Sequence, residues 1–112
     1  MEFDHFTLVL LETNPDAPEA SDTVVFDGHL AHLASLHDAG ELIAAGPTRD
    51  DDLRGICVLA TGVERARELM AADPAVQAGV FSVRLVPWRA PKGAIAHAPD
   101  ARFPRSVADA ST

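Results

Sequence analysis

The order of strand-like and helix-like segments constrains the fold of this chain more than any other feature of its sequence. Some short runs are apolar at both alternating sets of positions, which is typical of strands buried on both faces. Other runs carry apolar residues every three or four positions, which is typical of helices packed on a sheet. The predicted order is strand, helix, strand, strand, helix, strand. These six segments are residues 3–11, 24–39, 41–45, 55–60, 63–72 and 80–87.

This order predicts an α+β domain with the ferredoxin-like βαββαβ arrangement, in which two helices lie on one face of an antiparallel sheet. Two helices cover only that face, whereas the first and third strands are predicted to be buried on both. Because a large apolar face marks an interaction surface, we expect a second copy of the chain to cover it. The predicted partner is therefore the chain itself, in at least a homodimer.

Local signals predict where several elements begin and end. Gly40 follows the first helix at the position where a left-handed residue commonly ends one. The run from Thr61 to Glu64 matches a capping box and predicts the start of the second long helix. Asp73 and Pro74 form an N-cap and N1 pair, which predicts a short extra turn of helix before the last strand.

The composition changes after about residue 89, where Pro, Ala, Asp, Arg and Ser follow one another without periodicity. Residues 1–90 are predicted to form one domain, and a chain of 112 residues has room for no second one. Residues 91–112 are predicted to form a Pro- and Ala-rich tail, disordered alone or lying along a partner.

The net charge of −8 argues against several classes of partner. A nucleic-acid binder needs a basic stripe, and an anionic membrane surface attracts basic segments, so neither partner is predicted. No run reaches the roughly 18 apolar residues that span a bilayer, and the N-terminus lacks a positive signal-peptide region. We therefore expect a cytoplasmic protein. No dinucleotide or phosphate-binding fingerprint occurs, so no cofactor is predicted.

Three segments resemble a known family. Residues 28–40 contain a histidine near the start of a leucine-rich helix that ends at a glycine, and residues 44–47 read Ala-Ala-Gly-Pro. Residues 72–81 contain an Asp-Pro pair ahead of the last strand. In this spacing the three resemble YciI-like proteins over about residues 3–90, and the tail lies outside the resemblance.

The resemblance implies a dimeric α/β-barrel type assembly and a site built from a histidine and an aspartate. In this chain these residues are His29 and Asp73. Some members of the family take part in the breakdown of chlorinated aromatic compounds, which sets a weak expectation for the chemistry here.

The position of His29 suits proton transfer. It lies three residues after Phe26 and four before Leu33, on the edge of the apolar stripe of the first helix. An imidazole can take or give a proton near neutral pH, and a carboxylate bonded to one ring nitrogen would fix its tautomer. Two alternatives stay open at this point. His29 could be satisfied by a backbone carbonyl or water, and Asp73 could serve only as a helix cap.

Other candidate residues carry weaker signals. His32 could share a metal with His29, but no third ligand has a suitable spacing, so no metal is predicted. His37 lies in the middle of the apolar stripe and is interpreted as a packed or interface histidine. Cys57, between apolar neighbours in a strand, is interpreted as a small buried hydrophobe.

Three further residues are predicted to contact a substrate. Gly46 and Pro47 follow the second strand and are expected to shape a loop beside the site. Arg84 is a charge within an apolar strand, so it reaches a sheet edge or faces a cleft, where it would suit an anionic or phenolate substrate. The alternative is an arginine that extends to solvent or to an interface.

The predicted function is that of a small cofactor-independent enzyme. His29 would act as general acid and base, and Asp73 would orient it, in an isomerisation, an elimination or a hydrolytic removal of a leaving group from a small organic molecule. The alternative is a non-catalytic module for small-ligand binding or oligomerisation. In an enzyme the His29 ring should line a cavity, whereas in a structural module it should be packed or bonded to backbone.

Overall fold

The computed structural model describes residues 1–17 and 23–111, and these form four strands and four helices. The strands are β1 (Phe3–Thr13), β2 (Leu42–Pro47), β3 (Leu53–Leu59) and β4 (Phe81–Pro91). The helices are α1 (Thr23–Asp38), α2 (Val63–Ala71), α3 (Pro74–Gln77) and α4 (Val107–Ala110). None of the described helices is long and apolar enough to cross a membrane.

The sheet has the predicted ferredoxin-like topology. Its strand order is β2-β3-β1-β4, and each neighbouring pair is antiparallel. The two central strands are therefore β3 and β1, the ones predicted to be buried on both faces. The α+β prediction is confirmed.

One face of the sheet forms the core together with the helices. In β1 this face carries Thr7, Val9 and Leu11, whose exposed fractions are between 0% and 3%. Helices α1 and α2 add Leu33, Leu36, Ala66, Leu69 and Met70 to the same cluster of buried apolar side chains. This burial is the main favourable contribution to the free energy of folding.

The other face of the sheet, here called the open face, carries no helix from the described residues. Its apolar side chains alternate with those of the core, as the period of two in a strand requires. Trp88, which is 37% exposed, lies 5.9 Å from the ring of Phe6 across the β1–β4 pair. The apolar residues of the open face are Phe6, Leu8, Leu10, Ile56, Val58, Val86 and Trp88.

The C-terminal end of α1 has the predicted glycine geometry. Gly40 has a φ of +79°, its N–H donates to the carbonyl of His37, and the N–H of Glu41 donates to the carbonyl of Leu36. These two bonds form a Schellman motif, which satisfies carbonyls that the last turn leaves unpaired.

The capping box predicted at the start of α2 is wrong. The N-cap residue is Gly62, not Thr61. The Thr61 carbonyl accepts a hydrogen bond from the Thr7 hydroxyl, which holds Thr61 against β1 two residues before the first residue of the helix. Its own Oγ1 is buried and has no hydrogen-bond partner among the described residues.

The tail lies against α1 of its own chain. The sequence predicts a tail that is disordered alone or lies along a partner. The Arg105 guanidinium forms an ion pair with Asp38 at 2.7 Å, and the Val107 N–H donates to Asp27 Oδ1 at 2.7 Å. The His37 ring stacks on Phe103 with a centroid separation of 4.3 Å. The last strand, β4, continues to Pro91. The domain boundary at residue 90 stays a prediction.

Candidate functional site

Helices α1 and α3 approach each other closely at a glycine. A Cβ atom on Gly28 would lie 3.0 Å from Cγ and 3.1 Å from Cβ of Pro74, which is tighter than ordinary van der Waals contact. Gly within a helix costs about 0.5–1 kcal/mol relative to Ala. Its position here is explained by the packing, because it lets the next residue, His29, reach the residue before Pro74.

That residue is Asp73, and it bonds His29 directly. His29 Nδ1 lies 2.6 Å from Asp73 Oδ2. The other carboxylate oxygen, Oδ1, accepts from the Ala75 N–H at 2.9 Å, so Asp73 is also the N-cap of α3. Asp73 is fully buried and His29 is 8% exposed. The two roles proposed for Asp73 thus use different oxygens of one carboxylate.

This geometry determines which ring nitrogen of His29 is available. A carboxylate only accepts hydrogen bonds, so Nδ1 carries the proton. Nε2 bonds no atom within residues 1–17 and 23–111, and in the neutral ring it holds the free lone pair. The buried negative charge of Asp73 would stabilise an imidazolium if Nε2 took a proton. The arrangement therefore fits a general base oriented by a carboxylate.

The His29 ring faces a cavity of about 420 Å³ between α1, the sheet and the tail. The ring also lies 5.5 Å from the ring of Phe81 at the start of β4. The surrounding side chains are mainly apolar, which would favour the planar rings of aromatic molecules over strongly hydrated ones. They include Leu11, Phe26, Leu30, Leu33, Ala45 and Phe81.

The tail forms part of this cavity. Phe103, Pro104 and Ala110 are among its lining residues. The composition of residues 91–112 predicts a tail outside the domain and gives no indication that it belongs to a site. The missed signal is Phe103, a large apolar residue in an otherwise polar and Pro-rich segment.

Of the predicted substrate contacts, the structure places two at the cavity and one elsewhere. Gly46 and Pro47 line it, at the end of β2. Arg84 pairs with Leu10 across the β1–β4 ladder, is exposed, and is not among the cavity residues. It therefore lies on the open face of the sheet.

A different arginine, Arg54, reaches the cavity. Leu11 pairs with Gly55 while Glu12 pairs with Leu53, so Arg54 is the extra residue of a β-bulge between β1 and β3. A bulge re-aims the side chain of the extra residue. The Arg54 guanidinium carbon lies 5.8 Å from the centroid of Phe81, the ring that also contacts His29. Strand periodicity alone predicts that Arg54 shares the open face with Ile56. The sequence therefore gives no indication that Arg54 lies at the cavity.

The remaining candidate residues have structural partners. His32 Nε2 donates to the Leu69 carbonyl at 2.8 Å, and His37 Nε2 donates to the Ala98 carbonyl at 2.8 Å. His37 is 2% exposed, as a packed histidine should be. Within the described ranges, no three His, Cys, Asp or Glu side chains lie close enough to hold a metal ion.

Cys57 is 1% exposed, in keeping with its interpretation as a buried hydrophobe. Burial, and to a lesser degree the charge of Asp73, raises the pKa of the Cys57 thiol to about 12. The thiol is therefore protonated near neutral pH, and a thiol is a poor nucleophile compared with a thiolate.

The fold and the buried histidine–carboxylate pair define a class: a small α+β domain with one cavity-facing His–Asp dyad. The family model of the YCII-related domain matches residues 6–89, which is most of the chain. The chain therefore belongs to the YCII-related family, and the resemblance noted in the sequence is confirmed.

One solved structure gives a more specific comparison. The chain is similar to 5-chloro-2-hydroxyhydroquinone dehydrochlorinase (TftG) from Burkholderia phenoliruptrix AC1100, solved in complex with 2,5-dihydroxybenzoquinone. The match has a TM-score of 0.53 and 26% sequence identity, and it covers 78% of this chain and 96% of that one. A search of curated proteins found no match.

Proposed function

We propose that this protein is a cofactor-independent enzyme that uses His29 and Asp73 for general acid/base catalysis on a small aromatic molecule. The observation that carries the proposal is that the two carboxylate oxygens of Asp73 bond different groups. One oxygen caps α3 and fixes the carboxylate, and the other holds His29 Nδ1 at 2.6 Å, so that the second ring nitrogen is left for a ligand. The similar dehydrochlorinase supports an aromatic substrate with a leaving group.

The proposed step is a proton transfer coupled to loss of a leaving group. The ring carbon that bears the leaving group first gains a proton while a neighbouring hydroxyl loses one, which converts the aromatic ring to its keto tautomer. His29 Nε2 then takes the proton of a second hydroxyl that is conjugated with this sp3 carbon. The O–H electron pair forms a carbonyl, a ring double bond shifts toward the sp3 carbon, and the leaving group departs with its bonding pair, as chloride if the group is chlorine. Asp73 stabilises the imidazolium, which then returns its proton to water. General acid/base catalysis of this kind contributes about 10²–10⁴-fold to a rate.

The rival function is that of a non-catalytic module that binds a small ligand or drives oligomerisation. The environment of His29 favours the enzyme. Its ring lines the cavity and its partner is a side chain, whereas His32 and His37 on the same helix bond backbone carbonyls. A helix cap alone would not need the second oxygen of Asp73 to face a histidine.

The test compares His29→Gln with His32→Gln, a matched control on the same helix. Purified wild type and both variants are incubated with 5-chloro-2-hydroxyhydroquinone and other chlorinated hydroquinones, and chloride release is measured. We expect turnover by wild type and His32→Gln, and a loss of at least about 100-fold in His29→Gln. Absence of turnover in the wild type across the panel, with ligand binding retained, would favour the binding module.

We further propose that the protein acts as a homodimer formed through the open face. Ile56 and Trp88, two of its large side chains, are 36% and 37% exposed in the single chain. A contiguous apolar surface of this kind is typical of an interface. Two sheets facing each other would correspond to the assembly that the family resemblance implies.

A further inference from the structure

We infer that Arg54 is the specificity-determining residue of the cavity and that it binds an anionic oxygen on a planar aromatic ligand. The inference rests on the proposed function in one respect: it uses the same cavity as His29. It goes beyond it by naming the chemical class of the ligand, an aromatic anion such as a phenolate or an ionised hydroxyquinone.

A backbone irregularity brings Arg54 to the cavity. With regular alternation, Arg54 and Ile56 would point to the same face of β3. The bulge opposite Leu11 and Glu12 interrupts that alternation and leaves Arg54 without a partner residue on β1. Bulges are over-represented beside active sites, where they turn one side chain. Here the turned side chain contacts Phe81, on the helix-covered face.

Among residues 1–17 and 23–111, no acidic side chain neutralises the charge of Arg54. Arg54 forms no ion pair with any residue in the described part of the chain. Three aspartates precede it, yet the Asp50 carboxylate accepts from the N–H groups of Asp52 and Leu53 instead. No described residue that lines the cavity carries a carboxylate. In a chain with a net charge of −8, this is a notable local excess of positive charge.

The two polar groups of the cavity, the Arg54 guanidinium and the His29 imidazole, lie near one aromatic ring. Arg54 and His29 contact the same ring, Phe81, at 5.8 Å and 5.5 Å. A planar ligand packed against the apolar lining can therefore meet a guanidinium and an imidazole at once. The guanidinium fork matches an oxyanion with directed hydrogen bonds and is always charged, so it selects ionised ligands over neutral ones.

The experiment compares an anionic probe with a neutral one of similar size. In 2,5-dihydroxybenzoquinone each hydroxyl is conjugated to a carbonyl, so the compound is an anion at neutral pH, whereas hydroquinone is neutral. Dissociation constants are measured by calorimetry for wild type, Arg54→Gln, Arg54→Lys and Arg49→Gln. Arg49 is the matched control, an exposed arginine five residues earlier that does not line the cavity.

We expect Arg54→Gln to weaken binding of the anion by about 10-fold to 100-fold, the usual effect of losing a charge-assisted hydrogen bond. Binding of hydroquinone should change by less than about 2-fold, since no charge is involved. Arg54→Lys should give an intermediate loss because it keeps the charge without the fork. Arg49→Gln should leave both constants unchanged.

Three outcomes would overturn the inference: failure of the wild type to bind the anion, unchanged anion binding in Arg54→Gln, or an equal loss for both probes. The last would indicate a structural effect in place of charge recognition. These outcomes are separable from the proposed function, because binding is measured without turnover. If His29→Gln binds the anion but the wild type turns nothing over, the enzyme proposal fails and the Arg54 site stands.

Discussion

Gly28 lies against the ring of Pro74 so closely that a Cβ atom on residue 28 would be 3.0 Å from Pro74 Cγ. The two residues are the immediate neighbours of His29 and Asp73. Two pairs of adjacent residues, Gly28-His29 and Asp73-Pro74, therefore pack side by side. In each pair one residue sets the distance between the helices, and the other supplies a side chain of the His29–Asp73 hydrogen bond.

This relationship predicts the effect of Gly28→Ala. Alanine favours the helix by about 0.5–1 kcal/mol, but its methyl group must push a rigid proline ring away by a few tenths of an ångström. The two effects oppose each other, so the free energy of unfolding should change by less than about 1 kcal/mol. The His29–Asp73 bond should lengthen, and turnover should fall by about 10-fold or more. Urea unfolding and kinetics measure the two quantities, and Ala31→Gly on the exposed side of α1 is the control. Unchanged turnover in Gly28→Ala would contradict the positioning role.

Asp73→Asn should separate capping from orientation. A carboxamide has one oxygen and one NH₂ group, so it cannot accept from both Ala75 N–H and His29 Nδ1–H. If the oxygen keeps the cap, the NH₂ group faces Nδ1 and forces the His29 proton onto Nε2. Stability should change little, because Asn caps nearly as well as Asp, whereas Asp73→Ala should lose about 1 kcal/mol or more. Turnover should fall by about 10²–10⁴-fold, as is usual when a catalytic histidine takes the wrong tautomer.

Nitrogen NMR of the imidazole ring measures this tautomer directly. Wild type should show a protonated Nδ1, and Asp73→Asn a protonated Nε2. If both proteins show the same tautomer and the same turnover, the second oxygen of Asp73 has no catalytic role and Asp73 is only a helix cap.

The buried thiol of Cys57 should make the folded protein less stable at alkaline pH. Burial raises the pKa of its thiol from 9.0 to about 12, so the folded state keeps the proton when the unfolded state has lost it. The contribution of the Cys57 thiol to the free energy of unfolding is therefore complete below pH 9, and it is lost as the pH rises from 9 toward 12. The sequence has no tyrosine and a single lysine, the exposed Lys92, so few other side chains titrate there. Urea unfolding between pH 8 and 11 should show a steeper loss for wild type than for Cys57→Ala. Parallel curves would mean that the thiol is not responsible.

The fold could be predicted from the sequence because its signals are local. Segment order and apolar periodicity indicate the βαββαβ arrangement, and Gly40 marks the end of α1. The helix α2 lies where the sequence predicts it, but its capping box was wrong because a tertiary contact with Thr7 overrides the capping signal of Thr61. The strands β2 and β4 extend past their predicted ends at Ala45 and Pro87 because both are edge strands, where a proline that cannot donate to a ladder is tolerated.

The candidate site was only partly predictable. His29 and Asp73 could be assigned because the family resemblance supplied a pairing that is 44 residues apart in sequence. The place of Arg54 beside the cavity could not be predicted, since the bulge that brings it there has no signature in strand periodicity. The contribution of Phe103 was missed for a similar reason. Composition describes a segment on average and does not reveal one apolar contact made by a polar tail.

The open face of the sheet predicts the state of association. If it forms a dimer interface, light scattering at micromolar concentration should give at least twice the mass of 11.9 kDa. Leu8→Lys places a charge in the middle of the face and should shift the mass to that of the single chain, because burying an unpaired charge is costly. Ala31→Lys, on the exposed side of α1, adds the same charge and should leave the mass unchanged. Trp88, the single tryptophan, should show redder emission in Leu8→Lys as it becomes hydrated. A monomeric wild type would refute the interface.

The contribution of the tail to the wall of the cavity can be tested at Phe103. The ring stacks on the buried His37 at 4.3 Å with an interplanar angle of 18°, and it also lines the cavity. Phe103→Ala should therefore reduce stability by roughly 1–3 kcal/mol, less than for a fully buried phenylalanine, since the side chain is only half-buried. It should also open one wall of the cavity. Binding of 2,5-dihydroxybenzoquinone should weaken by about 3-fold to 10-fold, while bulkier naphthoquinones should bind better than in wild type.

Phe3 offers a matched control for this variant. It is also half-buried, and it also has a ring partner, the Arg89 guanidinium at 4.5 Å, but it lies away from the cavity. Phe3→Ala should lower the melting temperature by a similar amount and leave both binding constants unchanged. A change of ligand size preference in Phe103→Ala alone would establish the tail as a wall of the site. If the two variants lose stability equally and neither alters binding, Phe103 only anchors the tail to α1, and the cavity is shaped by the domain of residues 6–89.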